Sequence, residues 1–308
     1  MGDGGPGSSE GQGQGQGQGQ GRLVLVATPI GNLGDVSTRA RQTLAEADVI
    51  CCEDTRRTRA LLSHLGIEGG DRLLSLHEHN EAARTERVCT AVAGGSLVAL
   101  VSDAGTPGIS DPGALLVARL ASAGLTVSTV PGPSSVLGAL VVSGLPTERF
   151  AVEGFLARKG SERRRRVAAF MADDRTTVVL EAPGRVAATL GELAVLDPHR
   201  AVAVVRELTK VHEEVWRGTL AEAAAEFSDR AVRGEVVLVI GPTGQTQPAD
   251  DEALDIAVRA ALTADPGAGL RQVSDVVAAT LGVPRRRAYE AALRVRQAIT
   301  GPGGGVGS

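Results

Sequence analysis

The sequence predicts an α/β protein made of two α/β domains and a small C-terminal helical module. Short apolar runs bounded by turn residues alternate with amphipathic stretches, which is typical of parallel strands joined by helices. Several runs end directly in loops rich in glycine and proline. Near the carboxyl terminus the pattern changes to helix, glycine turn, helix. We therefore expect α/β domains over 22–132 and 133–245 and a helix-turn-helix-like module over 246–300.

The first domain is predicted from five apolar runs. They lie at 23–27, 49–52, 73–76, 98–101 and 127–130. The stretches between them carry apolar residues at helical spacing, for example Ala40 and Leu44. This alternation predicts an open parallel sheet. On its second strand, the adjacent Cys51 and Cys52 are expected to point to opposite faces.

The second domain mixes strand and helix signals less regularly, which predicts a mixed sheet. Its apolar runs lie at 150–156, 176–180, 201–205 and 235–240, with a hairpin return at 215–219. The final module places Ser274 as a helix N-cap and opens its second helix with three arginines after Pro284. Such a module can bind nucleic acid, pack on a domain or form a dimer contact, and the sequence leaves these alternatives open.

Two loops after neighbouring strands predict a ligand site. Residues 98–113, VALVSDAGTPGISDPG, begin as a strand and then carry three glycines, two prolines, Asp103 and Asp111. Residues 131–135, PGPSS, follow the next strand. In open α/β sheets ligands bind at the carboxyl ends of strands, where glycine allows close backbone approach. An ordinary connection explains one such loop, but two at one edge favour a pocket.

Composition excludes several classes of protein. The chain has 32 basic and 36 acidic residues, a net charge of −4, so bulk attraction to nucleic acid is not indicated. Aromatic residues make up 2%, which disfavours base recognition by stacking. Three cysteines without a CxxC pair indicate reduced core residues in a cytoplasmic protein. No apolar run reaches membrane-spanning length. Residues 1–21, where Gly and Gln alternate, predict a disordered tail.

Polar clusters follow two other strands of the first domain. Asp54 or Thr55 is a plausible N-cap, and Asp54 and Arg56 are candidates for function because of their place at the sheet edge. His77, Glu78 and Glu81 follow the third strand within the sequence HEHNE. The HxH pair lacks a third ligand at a recognisable spacing, so we expect no metal and interpret these groups as the lining of a substrate cleft.

One dense basic run stands out in a chain of net negative charge. It comprises Arg158, Lys159, Arg163, Arg164, Arg165 and Arg166. Four consecutive arginines on a helix fan out by about 100° each, so they cannot all face one partner. A solvated helix end is the alternative interpretation. We favour phosphate binding, and hence an RNA-binding role for these six residues.

With those residues in view, the chain resembles the tetrapyrrole-methylase-like (class III) methyltransferases that use S-adenosylmethionine. The motifs that carry the resemblance are VATPIGNLGD (26–35), EDTR (53–56), LHEHNE (76–81), VSDAGTPGISDPG (101–113), PGPSS (131–135) and RELTKVHEE (206–214). It is most similar to the bacterial branch that methylates a cytidine 2′-oxygen in the decoding region of small-subunit (16S) ribosomal RNA. LEAPGR (180–185) departs from that branch at Gly184, where we expect His.

The resemblance implies two α/β domains, S-adenosylmethionine as cofactor, 16S ribosomal RNA within the small subunit as partner, and a homodimer with no membrane association. It also implies a set of cofactor-binding residues. These are Thr28, Pro29, Asp103, Ala104, Gly105, Thr106, Ile109, Ser110, Ser134 and Ser135.

Methyl transfer needs the hydroxyl in line with the sulfonium methyl, and a base assisting it contributes roughly 10²- to 10⁴-fold. Our candidate bases are Glu81, Glu78 and His77, with Lys210 or Arg56 positioning phosphate or stabilising charge. Two alternatives remain: a methylase acting on a tetrapyrrole, and a non-catalytic RNA-binding assembly factor. A nicotinamide dehydrogenase ranks below them, because the sequence TPIG at 28–31 does not match the glycine-rich fingerprint of dinucleotide-binding loops.

Overall fold

The predicted alternation of strands and helices is confirmed by the computed structural model, which describes residues 21–77, 80–244, 251–281 and 283–300. The predicted tail lies outside these ranges except for Gly21. That residue is buried, and a Cβ added to it would lie 2.0 Å from the Val92 carbonyl oxygen. Gly21 therefore packs against the first unit, although the sequence assigned it to the tail. Contacts divide the chain into two units between Pro133 and Ser134.

The first unit contains a five-stranded sheet with all strands parallel. Its strands are β1 (Arg22–Val26), β2 (Val49–Cys52), β3 (Leu73–Ser75), β4 (Leu97–Val101) and β5 (Thr126–Val130), in the spatial order β3-β2-β4-β1-β5. Its helices are α1 (Thr38–Glu46), α2 (Thr55–His64), α3 (Glu81–Ala93) and α4 (Ala114–Ser122).

The helices cover both faces of this sheet. Leu44 and Leu62, from α1 and α2, pack in one buried cluster with Cys52. Val88 and Leu116, from α3 and α4, pack in the other with Cys51. The adjacent cysteines thus point to opposite faces, as alternation along a strand predicts. All three cysteines are buried and free.

The second unit contains a mixed sheet, as expected from its sequence. Its strands are β6 (Phe150–Phe155), β7 (Thr176–Glu181), β8 (Ala201–Arg206), β9 (Glu214–Thr219) and β10 (Val236–Ile240), in the order β6-β7-β10-β8-β9. Only β6 and β7 pair in parallel; the other three pairs are antiparallel. Helix α5 (Ser135–Ser143) packs on one face. Helices α6 (Ser161–Met171), α7 (Val186–Leu196) and α8 (Leu220–Phe227) pack on the other.

Arg200 is a buried anchor of the second unit. Its guanidinium donates to the carbonyl oxygens of Phe170, Met171 and Asp173 at the end of α6, and to that of Gly241 after β10. Burial lowers the pKa of Arg200, and the charges of Asp197 and Asp173 oppose this. A cation at a helix C-terminus offsets the negative end of the helix dipole. Arg200 thereby joins α6 to the sheet.

The C-terminal module consists of α9 (Asp251–Ala264), α10 (Leu270–Leu281) and α11 (Arg285–Thr300), around a core of their apolar residues. Helix α9 was not predicted from the sequence. The expected N-cap, Ser274, instead lies inside α10, where its hydroxyl donates to the Leu270 carbonyl. Within the described ranges, no helix is both long and apolar enough to cross a bilayer.

Candidate active site

The loops after β1 and β4 lie side by side at the carboxyl edge of the first sheet. These strands are neighbours, yet the helices that follow them, α1 and α4, cover opposite faces. Loops that leave a parallel sheet toward opposite faces open a crevice at its carboxyl edge. The two predicted cofactor-binding stretches, 28–29 and 103–110, therefore flank such a crevice.

Backbone hydrogen bonds join these two loops. The Thr28 N–H donates to the Gly105 carbonyl at 2.9 Å, and the Gly105 N–H donates to the Thr28 carbonyl at 3.0 Å. Thr28 is buried, and its hydroxyl donates to the Ser102 carbonyl at 3.2 Å. Gly105 has φ +83°, and an added Cβ would lie 3.3 Å from Ile30 Cγ2. Glycine suits this position because of both its backbone conformation and the close neighbour.

A concave pocket of about 300 Å³ opens beside this bridge. Its lining residues are Thr28, Pro29, Leu33, Arg57, Ala60, Leu61 and Asp103. Asp103 accepts a hydrogen bond from the Asp54 N–H at 3.1 Å and forms an ion pair with Arg57 at 3.3 Å. The pocket thus combines apolar walls with one carboxylate and one guanidinium, a composition typical of small-ligand sites.

Two further carboxylates, not among our candidates, lie in the same neighbourhood. Burial raises the pKa of Asp111 to about 6; the negative charges of Glu53 and Asp103 add to the shift, and the Ser102 hydroxyl opposes it. Burial also raises the pKa of Glu53, with Asp103 adding and Arg57 opposing. Glu53 directly follows the buried strand β2, and Asp111 lies in the glycine-rich loop after β4. These positions at strand ends are the signal by which the sequence could have pointed to both acids.

Glu81 caps a helix. Its Oε1 accepts hydrogen bonds from the N–H groups of Gly113 at 3.1 Å and Leu116 at 3.0 Å. Gly113 precedes α4 with φ +126° and has no side chain to cap that helix. A carboxylate at a helix N-terminus satisfies unpaired N–H groups and stabilises the dipole. Glu81 therefore stabilises the start of α4, and it remains a candidate base.

His77 is held by Asn80. The side-chain Oδ1 of Asn80 accepts from the His77 backbone N–H at 2.9 Å, and the side-chain Nδ2 of Asn80 lies 3.0 Å from His77 Nε2. Glu78, the neighbouring candidate base, lies outside the described residues, as does His79. Arg56 is 88% exposed and pairs with Asp54, the confirmed N-cap of α2. It is therefore accessible to an anionic ligand.

In the second unit, Ser134 and Lys210 both have intramolecular partners. Ser134 caps α5, since its hydroxyl accepts from the Leu137 N–H at 3.4 Å, and Ser135 is the first residue of that helix. Lys210 Nζ lies 2.8 Å from Glu207 Oε1 and 3.2 Å from Glu235 Oε2. These contacts hold the loop that follows β8.

That loop is conformationally constrained. Glu207 and Thr209 have φ values of +50° and +67°, a region that non-glycine residues seldom adopt. Strain of this kind persists where surrounding contacts fix the backbone, and it clusters at functional sites. The Glu207 carboxylate supplies such contacts by accepting from Lys210 and from the Glu235 N–H at 2.9 Å.

The basic run divides into two sets. Arg163 is buried and binds Glu192, the Thr189 hydroxyl and the Ala157 carbonyl. Arg166 pairs with Glu153 at 2.9 Å. These two arginines hold α6 against its neighbours, so we remove them from the predicted RNA-binding set. The remaining four, which are exposed, are Arg158, Lys159, Arg164 and Arg165.

The comparisons with known proteins agree with this geometry. The family model described as Tetrapyrrole (Corrin/Porphyrin) Methylases matches residues 22–224. Ribosomal RNA small subunit methyltransferase I of Synechocystis sp. is 43% identical over 276 residues, which cover 89% of this chain and 98% of that protein. The chain therefore belongs to the tetrapyrrole methylase family. The protein of the same name from Mycobacterium tuberculosis is 44% identical, over 91% of this chain and 98% of its own length.

Two solved structures share the fold. The Thermus thermophilus uroporphyrin-III C-methyltransferase complexed with S-adenyl homocysteine is 26% identical, with a TM-score of 0.50 over 71% of this chain and 96% of that one. Diphthine synthase has a TM-score of 0.55 at 15% identity, over 71% and 89% of the two chains, which shows the fold alone. The expected tetrapyrrole-methylase-type architecture is thus confirmed.

The raised pKa of Asp111 predicts a pH-dependent effect of Asp111→Asn on stability. Because the folded-state pKa exceeds the usual value of 3.8, ionisation of Asp111 destabilises the fold increasingly as the pH rises from about 3.8 to about 6, and fully above that. At about pH 3 the group is largely protonated in both states and the penalty is nearly absent. We expect the variant to have the higher Tm at pH 8 and nearly the same Tm as the parent at about pH 3. A Tm difference that stays constant from about pH 3 to pH 8 would contradict this.

Proposed function

We propose that this chain transfers the methyl group of S-adenosylmethionine to the 2′-oxygen of a cytidine in the decoding region of 16S ribosomal RNA. The observation that carries the proposal is the 43–44% identity along 98% of the length of two proteins named ribosomal RNA small subunit methyltransferase I. The cytidine and its 2′-oxygen come from the motif resemblance.

The residues of the first unit fit S-adenosylmethionine. Its sulfonium and ammonium groups are positive, and Glu53, Asp103 and Asp111 bring carboxylates to the carboxyl edge of the sheet. Its carboxylate matches the guanidinium of Arg57. When bound, the cofactor supplies an electrophilic methyl group. The residues of the first unit proposed to hold it are Thr28, Pro29, Asp103, Ala104, Gly105, Thr106, Ile109 and Ser110; Ser134 and Ser135 stay predictions from the motif resemblance.

The protein must also orient the hydroxyl and accept its proton. We assign Glu81 chiefly to holding α4, because one of its oxygens already accepts two backbone hydrogen bonds. The proton acceptor then belongs among His77, Glu78 and Asp111. Arg56, which is exposed at the same edge of the sheet, positions a phosphate of the RNA. Lys210 supports the loop after β8 through its two carboxylate partners.

The four exposed cations of the basic run form a proposed RNA-binding face. Arg158 and Lys159 precede α6, and Arg164 and Arg165 lie on its solvent side. Each is free of the intramolecular contacts that occupy Arg163. Contacts of this kind to phosphate set position and affinity and carry no sequence information.

A homodimer is part of the proposal. On the edge strand β6, Phe150, Val152 and Phe155 are 37%, 42% and 56% exposed. They pair with Thr176, Val178 and Leu180 of β7, so they share one face of the sheet. An apolar strip on an edge strand invites association with another chain.

The dimer proposal predicts a solution mass of twice 31.5 kDa by light scattering. Val152→Glu/Phe155→Glu is expected to give the mass of one chain, because two charges would be buried in the interface. The matched control is Val195→Glu, an 84% exposed apolar residue on α7, which should leave the dimer intact. A single-chain mass for the parent protein would contradict the proposal.

The reaction itself is tested with labelled S-adenosylmethionine and small ribosomal subunits that lack their own modifications. We expect label on the 2′-oxygen of one decoding-region cytidine. His77→Gln, Glu78→Gln and Asp111→Asn are then compared, and the variant of the true base should lose roughly 10²- to 10⁴-fold in kcat. Transfer of label to a tetrapyrrole and not to RNA would contradict the proposed substrate. Cofactor binding without any methyl transfer would indicate a non-catalytic binding factor.

A further inference from the structure

A second concave pocket, of about 380 Å³, lies where α10 and α11 meet. Its lining residues are Arg271, Ser274, Arg285, Arg286 and Tyr289. Four of these side chains offer hydrogen-bond donors to the pocket, whereas the Ser274 hydroxyl donates within α10, and none of the five is a carboxylate. The pocket belongs to the C-terminal module. The match to the family model ends at residue 224, before this module, and the proposed reaction assigns the module no role.

Helix periodicity brings these donors together. Arg271 and Ser274 lie one turn apart on α10, and Arg285 and Tyr289 lie one turn apart on α11. Pro284 immediately precedes α11, and its carbonyl accepts hydrogen bonds from the first turn of that helix. Arg285 and Arg286 therefore open α11 beside the exposed side of α10.

The pocket arginines are accessible to a ligand. Arg271 is exposed and forms no ion pair with any described residue. Arg285 pairs with Asp275, and Arg286 pairs with Glu290 at 3.0 Å, with side chains 69% and 91% exposed. Exposed ion pairs contribute little, so a phosphate that accepts two parallel hydrogen bonds can replace these carboxylates.

Other arginines of α11 have a different task. Arg287 and Arg294 form ion pairs with Asp251 and Asp255 of α9 at 3.4 and 2.6 Å. These pairs join two helices of the module. The cations of α11 thus divide between those that hold the module together and those that face the pocket. Loss of Arg271 or Arg286 leaves the contacts between α9 and α11 intact.

We propose that this pocket binds backbone phosphates of duplex RNA and gives the RNA substrate a second anchoring point. The inference rests on the proposed function for the identity of the nucleic acid. In helix-turn-helix modules the first helix crosses the backbone and the second lies at the groove. The deep, narrow major groove of A-form RNA excludes side chains, so contact is made with phosphates and 2′-hydroxyls. Arginines on both helices, with Tyr289 in the same pocket, suit that contact.

The test compares Arg271→Ala/Arg286→Ala with a charge-matched control in the full-length protein. The control, Arg259→Ala/Arg149→Ala, removes one exposed arginine of α9 and one exposed arginine paired with Asp174 at 2.8 Å. Binding to a short duplex RNA is measured over a range of salt concentrations without S-adenosylmethionine. We expect the pocket variant to bind roughly tenfold more weakly and its log–log salt slope to fall by about 1 per arginine. The control should match the parent.

Three outcomes would overturn the inference. The first is an affinity and salt slope equal to those of the control. The second is loss of inorganic phosphate binding, titrated alone, with duplex RNA binding unchanged. The third is a defect seen only with assembled small subunits, which would indicate a ribosomal protein as the partner. Because binding is measured without methyl transfer, failure of the proposed reaction leaves this result interpretable, and equal thermal unfolding of both variants excludes misfolding.

Discussion

Two backbone hydrogen bonds between Thr28 and Gly105 fix the arrangement of the candidate cofactor site. Parallel neighbours such as β1 and β4 are paired along their length but diverge once each chain leaves the sheet. The bridge extends the pairing beyond the strand ends, at a point where Gly105 adopts a positive φ. The buried Thr28 hydroxyl adds a third bond, to Ser102. Asp103 lies between Ser102 and Gly105, which both bond to Thr28, so its backbone is held in place where its side chain lines the pocket.

Electrostatic organisation follows from where each charge is buried. At the carboxyl edge of the first sheet, burial raises the pKa values of Asp111 and Glu53, and repulsion from neighbouring carboxylates adds to both shifts. This excess of negative charge favours a cationic ligand. In the second unit the exposed charges of the basic run are positive, while its inward arginines are neutralised by Glu153 and Glu192. A chain with net charge −4 can thus carry separate surfaces for a sulfonium and for phosphate.

The sheet of the first unit could be predicted from the sequence because fully buried parallel strands are continuous apolar runs, which few other structures produce. The glycine loops were equally informative, since positive φ leaves glycine as the usual residue. Helix α9 was missed because it follows a polar segment and its apolar stripe is narrow. Ser274 was misplaced because a serine inside a helix and a serine at its start look alike in sequence.

Residue roles were harder to predict than elements. Arg163 and Arg164 are neighbours in one run, yet a rotation of about 100° per residue buries the first and exposes the second. Glu81 is a candidate base because it lies in a polar cluster after a strand, but its hydrogen-bond partners, Gly113 and Leu116, are more than 30 residues away in sequence. Asp111 gained importance only through burial and neighbouring charges. Pairings of this kind depend on tertiary contacts, so they cannot be predicted from the local sequence pattern.

The most direct test of this account is calorimetric binding of S-adenosylhomocysteine to Gly105→Val and to Gly124→Val. Both glycines have positive φ, +83° and +68°, but only Gly105 forms the bridge and has Ile30 close by, whereas an added Cβ at Gly124 meets nothing within 4 Å. If the bridge shapes the cofactor site, Gly105→Val raises Kd by about tenfold or more, equivalent to about 1.4 kcal/mol, and Gly124→Val leaves Kd unchanged. Equal affinities for the two variants, both folded, would contradict the central role of the bridge.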